Sequence, residues 1–104
     1  MIVTSGDHGP LSLLATCLPP GLTRRVVTIA VGDILAYRAA DWRDALVVIE
    51  RGQIELEHRG GQRSHFGRGD IIWLYGLPVR LLHNPGADVA VLIAISRQVV
   101  RPRR

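Results

Sequence analysis

From residue 24 onward the chain carries short apolar runs, rich in β-branched residues, that are separated by turn residues. Runs of this length and spacing are typical of an all-β sandwich or barrel. Apolar positions repeat with a helical period only over 11–18, where a helix is conceivable. The pattern predicts eight strands, over 24–31, 33–37, 45–50, 53–58, 62–66, 71–75, 79–83 and 88–96.

Two turns have clear local signals. The runs at 45–50 and 53–58 are separated only by Arg51 and Gly52, and a glycine that tolerates positive φ predicts a two-residue hairpin here. Over 53–58 apolar and polar residues alternate, so one face of that strand is expected to be buried and the other wet. Pro85 and Gly86 stand at the two central positions of a predicted type II turn, which separates the last two strands.

Three other runs, at 46–49, 71–74 and 89–94, do not alternate and are apolar on both faces. A small two-layer domain has no second core to cover the outer faces of such strands. The surplus of apolar residues therefore predicts a subunit interface, and we expect a homodimer.

Composition limits the possible functions. The 104 residues include thirteen Arg and no Lys against nine acidic residues, for a formal charge of +4. Schiff-base chemistry and a P-loop both need a lysine and are excluded. Four of the arginines lie in 97–104, so the rest of the chain is formally neutral. We expect an N-terminal segment, 1–23, that packs on the barrel or on a partner subunit, a barrel domain, 24–96, and a basic tail, 97–104.

The chain has one cysteine, Cys17, which leaves no internal disulfide and makes a cytoplasmic protein the default expectation. The longest uncharged stretch, 8–23, is interrupted by three prolines, so we expect no transmembrane helix. The start of the chain carries Asp7 and no basic residue ahead of the apolar run at 11–17, which argues against an export signal.

Two stretches resemble motifs of the cupin superfamily of small jelly-roll barrels. The first is 45–56, a strand, a glycine turn and a return strand. The second begins at Gly69-Asp70 and ends at Asn84-Pro85-Gly86. The resemblance implies an antiparallel jelly-roll β-barrel, with the residues before 24 as a short N-terminal extension.

The same resemblance implies that the usual cupin metal site is lost. Metal-binding cupins carry two His and a Glu in the first motif and a third His in the second. Here the Glu position is Ala45, beside Asp44, the stretch 38–41 has no His, and the last position is Arg80. A guanidinium stays protonated and offers no lone pair to a cation. We therefore expect no metal and no cofactor. The alternative is a relocated metal site formed by His58, His65 and His83 with Asp41 or Asp44. Otherwise these histidines lie at the surface or at strand ends.

Arg80 is the most informative residue under this resemblance, which implies that its side chain points into the barrel and that His83 points out. A buried guanidinium needs an acidic partner or an anionic ligand. The partner would be Asp41 or Asp44 at the barrel mouth; the ligand would be a small carboxylate or a similar anion bound in bidentate fashion. Aromatic residues near the cavity strands could form stacking walls, or could be ordinary core and interface residues. These are Tyr37, Trp42, Trp73 and Tyr75.

The function expected from the sequence is binding or sensing of a small anionic ligand near Arg80 without a metal. Its expected ligand residues are Arg80, Asp41, Asp44, Trp73, Tyr75, Tyr37 and His58. The alternative is a cupin-type enzyme, either isomerase-like or epimerase-like, or with relocated metal ligands. An acid–base mechanism would have to use Asp41, Asp44 or His58. The basic tail is a weak argument for nucleic acid, because it lacks the interleaved aromatic residues of such sites.

Overall fold

A computed structural model describes the backbone of Ile2–Thr4 and residues 17–97. These residues are all-β apart from a short 3-10 helix, Ala39–Trp42, and each of the eight predicted strands is present. Residues 11–16 of the possible helix and 98–104 of the basic tail lie outside the described residues. The strands are β1 Ile2–Thr4, β2 Leu22–Ile29, β3 Ile34–Ala36, β4 Ala45–Arg51, β5 Gln53–His58, β6 Arg63–Gly67, β7 Asp70–Trp73, β8 Val79–His83 and β9 Ala90–Arg97.

The strands form two antiparallel sheets. The five-stranded sheet has the order β1-β7-β4-β9-β2, and the four-stranded sheet has the order β3-β8-β5-β6. Strands alternate their side chains between two faces, and the apolar faces of both sheets enclose a single core. Trp42 of the 3-10 helix is buried in this core. Its largest fully buried members are Trp42, Ile49, Ile54, Leu56, Ile72, Leu74, Leu82 and Leu92.

The predicted hairpin between β4 and β5 is wrong, although both strands are where the sequence placed them. β4 belongs to the five-stranded sheet and β5 to the four-stranded sheet, so the turn at Gly52 carries the chain from one sheet to the other. Gly52 has a φ of 77°, and a Cβ atom there would lie 2.6 Å from the carbonyl oxygen of Val89. The glycine is needed for this close approach as well as for its φ. The hairpin that β5 does form is with the next strand, β6.

The turn after β8 also differs from the prediction. Gly86 is absent from the glycines with positive φ among the described residues, so the type II turn does not form. The buried side chain of Asn84 organises the segment instead. Its Oδ1 accepts a hydrogen bond from the Gly86 N–H at 2.9 Å, and its Nδ2 donates to the carbonyls of Ile29 and Asp88 at 2.9 and 2.8 Å. An Asn side chain that bonds the backbone two residues on has replaced the Pro-Gly turn.

The outer face of the five-stranded sheet is apolar, as the non-alternating runs predicted. Leu46 of β4 lies opposite Ile95 of β9 and Trp73 of β7. Val48 is paired in the same way with Ile93, and both are buried although neither belongs to the core between the sheets. The homodimer that this pattern led us to expect remains a prediction.

Across the described part of the chain, no helix is long and apolar enough to span a membrane.

Candidate functional site

The expected inward orientation of Arg80 is wrong, and a β-bulge is the reason. Glu57 of β5 lies opposite Leu81 of β8, whereas the next residue, His58, lies opposite Val79, so Arg80 is one residue too many in its strand. A bulge re-aims the side chains on either side of it. Val79 and Leu82 both enter the core, and the Arg80 side chain, 60% exposed, lies on the outer face of the four-stranded sheet.

On that outer face Arg80 already has a carboxylate partner, which is neither Asp41 nor Asp44. Its Nε donates a hydrogen bond to Glu57 Oε2 at 2.8 Å, and its NH2 group donates to the same oxygen. The NH2 group of Arg63, in β6, lies 3.5 Å from the other carboxylate oxygen of Glu57, Oε1. These contacts form a cross-strand network of opposite charges, of the kind that stabilises a solvent-exposed sheet face. The expectation that Arg80 binds an anionic ligand remains a prediction.

Two of the expected aromatic residues, Tyr37 and Tyr75, line one cleft of about 410 Å³ at the end of the sandwich where β3, β5 and β7 finish. Three chain segments converge there, and backbone hydrogen bonds fix them. The Tyr37 N–H donates to the Arg80 carbonyl at 3.0 Å, and the Arg59 N–H donates to the Pro78 carbonyl at 2.7 Å. The Tyr37 hydroxyl donates to the Leu74 carbonyl at 3.3 Å. The lining residues are Tyr37, Ala39, Arg59, Tyr75, Gly76, Leu77 and Pro78.

The charges at this cleft are positive. Arg59 lines it, and the Cζ atom of Arg43 lies 5.8 Å from the centre of the Tyr75 ring, within cation–π range. No carboxylate in the described ranges lies within salt-bridge distance of either guanidinium. Burial raises the pKa of Tyr37, and the neighbouring Tyr75 raises it further, while Arg59 acts in the opposite direction. The cleft is therefore an apolar and aromatic recess with unneutralised positive charge.

The remaining expected site residues lie elsewhere. Trp73 and Asp44 share a groove of about 550 Å³ on the outer face of the five-stranded sheet, together with Leu46 and Arg97. Asp44 is the single non-glycine residue with positive φ, 55°, among those described. Asp41 is exposed on the 3-10 helix, where its backbone carbonyl accepts a hydrogen bond from Arg25.

The acid–base candidates are also separated. The Nε2 atom of His58 lies 3.0 Å from the Ser64 hydroxyl across the β5–β6 hairpin. Neither His58 nor Asp41 is among the lining residues of the cleft or of the groove. Neither of these two recesses, both lined by described residues, gathers the three residues that a metal-free acid–base mechanism would have to use.

The other two histidines of the four-stranded sheet each lie next to a polar side chain of β5. His65 Nε2 lies 2.6 Å from Gln53 Oε1, and His83 Nδ1 lies 3.8 Å from Glu55 Oε1. In the part of the chain that the structure describes, no three His, Cys, Asp or Glu side chains are grouped so as to hold a metal ion.

Sequence reasoning missed Arg59 and the segment of Leu77 and Pro78. Arg59 follows β5 in a polar turn with two glycines, where nothing in the pattern marks it out. Its place beside Tyr37 depends on the arrangement of the two sheets, because the β5–β6 turn and the β7–β8 connection meet at the same end. The sheet order, had it been known, would have been the signal.

No protein-family model matches this chain, and a search of curated proteins gives no match either.

Proposed function

We propose that this protein binds a small anionic ligand in the cleft formed by Tyr37, Tyr75 and Arg59. The observation that carries the proposal is the position of Arg59, a guanidinium without a carboxylate partner among the described residues, at an aromatic recess. A carboxylate or phosphate oxygen can accept two parallel hydrogen bonds from a guanidinium. The ligand class is the one expected from the sequence, with a different arginine as its anchor.

The size and lining of the cleft favour a ligand with a flat apolar part. A volume of about 410 Å³ lies within the range of small-molecule sites. Tyr75 is exposed at the cleft and carries Arg43 near its ring, while Tyr37 is half-buried and held at both its N–H and its hydroxyl. Aromatic side chains offer large contact areas with few rotatable bonds, and a ring can stack on them. A planar carboxylate would use both the charge and the rings.

The fold supports a jelly roll as part of this proposal. Eight strands form the sets β2-β9-β4-β7 and β3-β8-β5-β6, and the chain crosses between sheets at every connection from β2 to β9 except β5–β6. Two four-stranded sheets with such crossings are what a jelly roll requires. We further propose membership of the cupin superfamily without its usual metal ligands, since Ala45 and Arg80 stand at two of their positions. A cytoplasmic homodimer, inferred from the lone Cys17 and the apolar surplus, completes the proposal.

Benzoate and its neutral analogue benzamide test the proposal, because they share a ring and differ in charge. We expect benzoate to bind in a calorimetric titration and benzamide to bind at least about tenfold more weakly, since hydrogen bonds to charged groups contribute about 1.5–3 kcal/mol. Arg59→Gln should remove the preference for benzoate. Arg80→Gln is the matched control, since this variant should retain it.

If Arg80→Gln rather than Arg59→Gln loses the preference, the cleft is the wrong site and Arg80 is the anchor. If neither variant changes binding, or the intact protein does not distinguish benzoate from benzamide, the proposal of an anion site at this cleft fails.

A further inference from the structure

The cleft of Tyr37, Tyr75 and Arg59 has a second guanidinium at its margin. The Cζ atom of Arg43 lies 5.8 Å from the centre of the Tyr75 ring, and this ring is 40% exposed and lines the cleft. A guanidinium is planar, and its N–H groups point outward in its own plane. Stacking over Tyr75 therefore leaves the donors of Arg43 available to an acceptor beside the ring.

A second arginine–aromatic contact, between Arg25 and Trp42, has a different character. The Cζ atom of Arg25 lies 4.9 Å from the centre of the Trp42 ring, and Trp42 is buried in the core. The NH2 group of Arg25 also donates to the carbonyl of Asp41. Arg43 differs in both respects, because its ring lies at a cleft and no described residue accepts a hydrogen bond from its guanidinium. Arg25 thus belongs to the packing around the 3-10 helix, whereas Arg43 keeps donors that a ligand can use.

The two carboxylates nearest to Arg43 along the chain, Asp41 and Asp44, form no ion pair with it. Asp41 lies on the 3-10 helix, where it is exposed. Asp44 has a φ of 55°, which turns the chain into β4, and it lines the groove on the outer face of the five-stranded sheet. The adjacent charges of Arg43 and Asp44 therefore lie at different recesses.

The two guanidinium groups approach the cleft by different tyrosines. Burial and Tyr75 raise the pKa of Tyr37 and Arg59 lowers it, so the charge of Arg59 lies close enough to act on the Tyr37 hydroxyl. Arg43 lies instead over the ring of Tyr75. A flat ligand that contacts both tyrosines would thus meet a positive charge at two separate points.

We propose that the ligand of this cleft is a planar aromatic compound with two acidic groups, the first bound by Arg59 and the second by Arg43. The inference rests on the proposed anion site and names its ligand class. A carboxylate can accept two parallel hydrogen bonds from one guanidinium. A second carboxylate on the same ring gives Arg43 an acceptor, and the translational and rotational freedom lost on binding is lost only once.

Isophthalate and 3-carbamoylbenzoate test the second acidic group, because they share a ring and one carboxylate and differ in the charge of the other substituent. In calorimetric titrations at constant ionic strength, we expect isophthalate to bind at least about tenfold more tightly, since a charged acceptor meets Arg43 in place of a neutral one. Arg43→Gln should weaken isophthalate more than 3-carbamoylbenzoate and remove most of this difference. Arg63→Gln is the matched control on the outer face of the four-stranded sheet, and it should retain the difference.

Benzoate and benzamide separate this inference from the proposed site. If the intact protein prefers benzoate to benzamide but binds isophthalate and 3-carbamoylbenzoate equally, the anion site stands and the second acidic group is overturned. If Arg43→Gln retains the full preference for isophthalate, Arg43 does not bind the second group, and the inference is overturned while the anion site again stands. If the intact protein does not distinguish benzoate from benzamide, the anion site and this inference fail together.

Discussion

Arg80 and Glu57 lie side by side on the outer face of the four-stranded sheet, and both Nε and NH2 of the guanidinium donate to the same carboxylate oxygen of Glu57. The contact exists because a bulge in β8 turns Arg80 away from the core that its position in a regular strand would have faced. The position at which the cupin resemblance implies an inward ligand residue thus belongs to a surface ion pair in this chain.

The pair makes stability depend on pH in a defined direction. The hydrogen bond from Arg80 lowers the pKa of Glu57 below its ordinary 4.5; burial opposes this shift, and the charges of Arg80 and Arg63 add to it. A carboxylate whose pKa is lower in the folded state stabilises the fold above its unfolded pKa, and this contribution is lost as pH falls through the folded pKa. Arg80→Gln should therefore flatten the fall in unfolding free energy below pH 4.5.

Urea unfolding at a series of pH values measures this effect. The control is Arg38→Gln. Arg38 is exposed, precedes the 3-10 helix and makes no capping hydrogen bond with its side chain, so its replacement should leave the fall in unfolding free energy at low pH unchanged. Equal acid sensitivity of the wild-type protein and Arg80→Gln would show that the pair contributes nothing to stability in solution.

Asn84 is the one polar residue with a fully buried side chain among those described, and three hydrogen bonds depend on it. Asn84→Ala leaves the carbonyl of Ile29 and the N–H of Gly86 without this partner, and an unsatisfied buried polar group costs about 1–3 kcal/mol. We expect a loss of about 2–4 kcal/mol in the free energy of unfolding, measured by denaturant titration.

Asn84→Asp distinguishes this role from simple loss of volume. The aspartate keeps an acceptor for Gly86 but has no Nδ2 to donate, and it sets a carboxylate against the carbonyls of Ile29 and Asp88. It should therefore destabilise the protein at least as strongly as Asn84→Ala at neutral pH. A near-neutral effect of Asn84→Asp would contradict the assigned amide orientation and its two donated bonds.

The strands were predictable from the sequence because alternation and β-branched residues report local structure directly. How they associate was not. Arg51-Gly52 has the chemistry of a hairpin, but the same positive φ serves a turn between sheets, and only the nearness of Val89 distinguishes the two. Pro85-Gly86 likewise favours a local turn, and the tertiary hydrogen bond from Asn84 to Ile29, 55 residues away, overrides it.

The sequence named two of the residues that line the candidate cleft, but not its arginine. Tyr37 and Tyr75 were expected near a ligand, and they share a cleft. The cupin resemblance implied that Arg80 points into the barrel, and a single extra residue in β8 turns its side chain to the outer face. Arg59 had no sequence signal, since its position beside Tyr37 follows from the stacking of two sheets rather than from any local pattern.

Gly52 should be harder to replace than Gly61, although both have positive φ. Gly52→Ala would combine an unfavourable φ with a Cβ atom 2.6 Å from the Val89 carbonyl oxygen. At Gly61 the φ is 88° but nothing lies within 4 Å of such a Cβ atom. Gly61→Ala should thus cost only the φ penalty, about 1–2 kcal/mol, and Gly52→Ala should cost more than this in the same denaturant titration. Equal losses would mean that the β4–β5 turn relaxes without strain.

The titration of Tyr37 reports on the charges of the cleft without any ligand. The chain has two tyrosines, so Tyr75→Phe leaves Tyr37 as the one phenol that titrates. Burial and Tyr75 raise the pKa of Tyr37, whereas Arg59 lowers it by stabilising the phenolate. Tyr75→Phe should therefore lower the pKa of Tyr37, and adding Arg59→Gln should raise it again, as followed by phenolate absorbance.

Arg63→Gln is the control for this titration. Arg63 lies on the outer face of the four-stranded sheet and contacts Glu55 and Glu57, so its removal should leave the pKa of Tyr37 unchanged. A response to Arg59→Gln alone would establish that this guanidinium and the Tyr37 hydroxyl act on each other in solution. That is the electrostatic relationship an anionic ligand in the cleft would use, because a group that stabilises a phenolate also stabilises a bound carboxylate. No response would remove Arg59 from the cleft, and with it the physical basis of the proposed site.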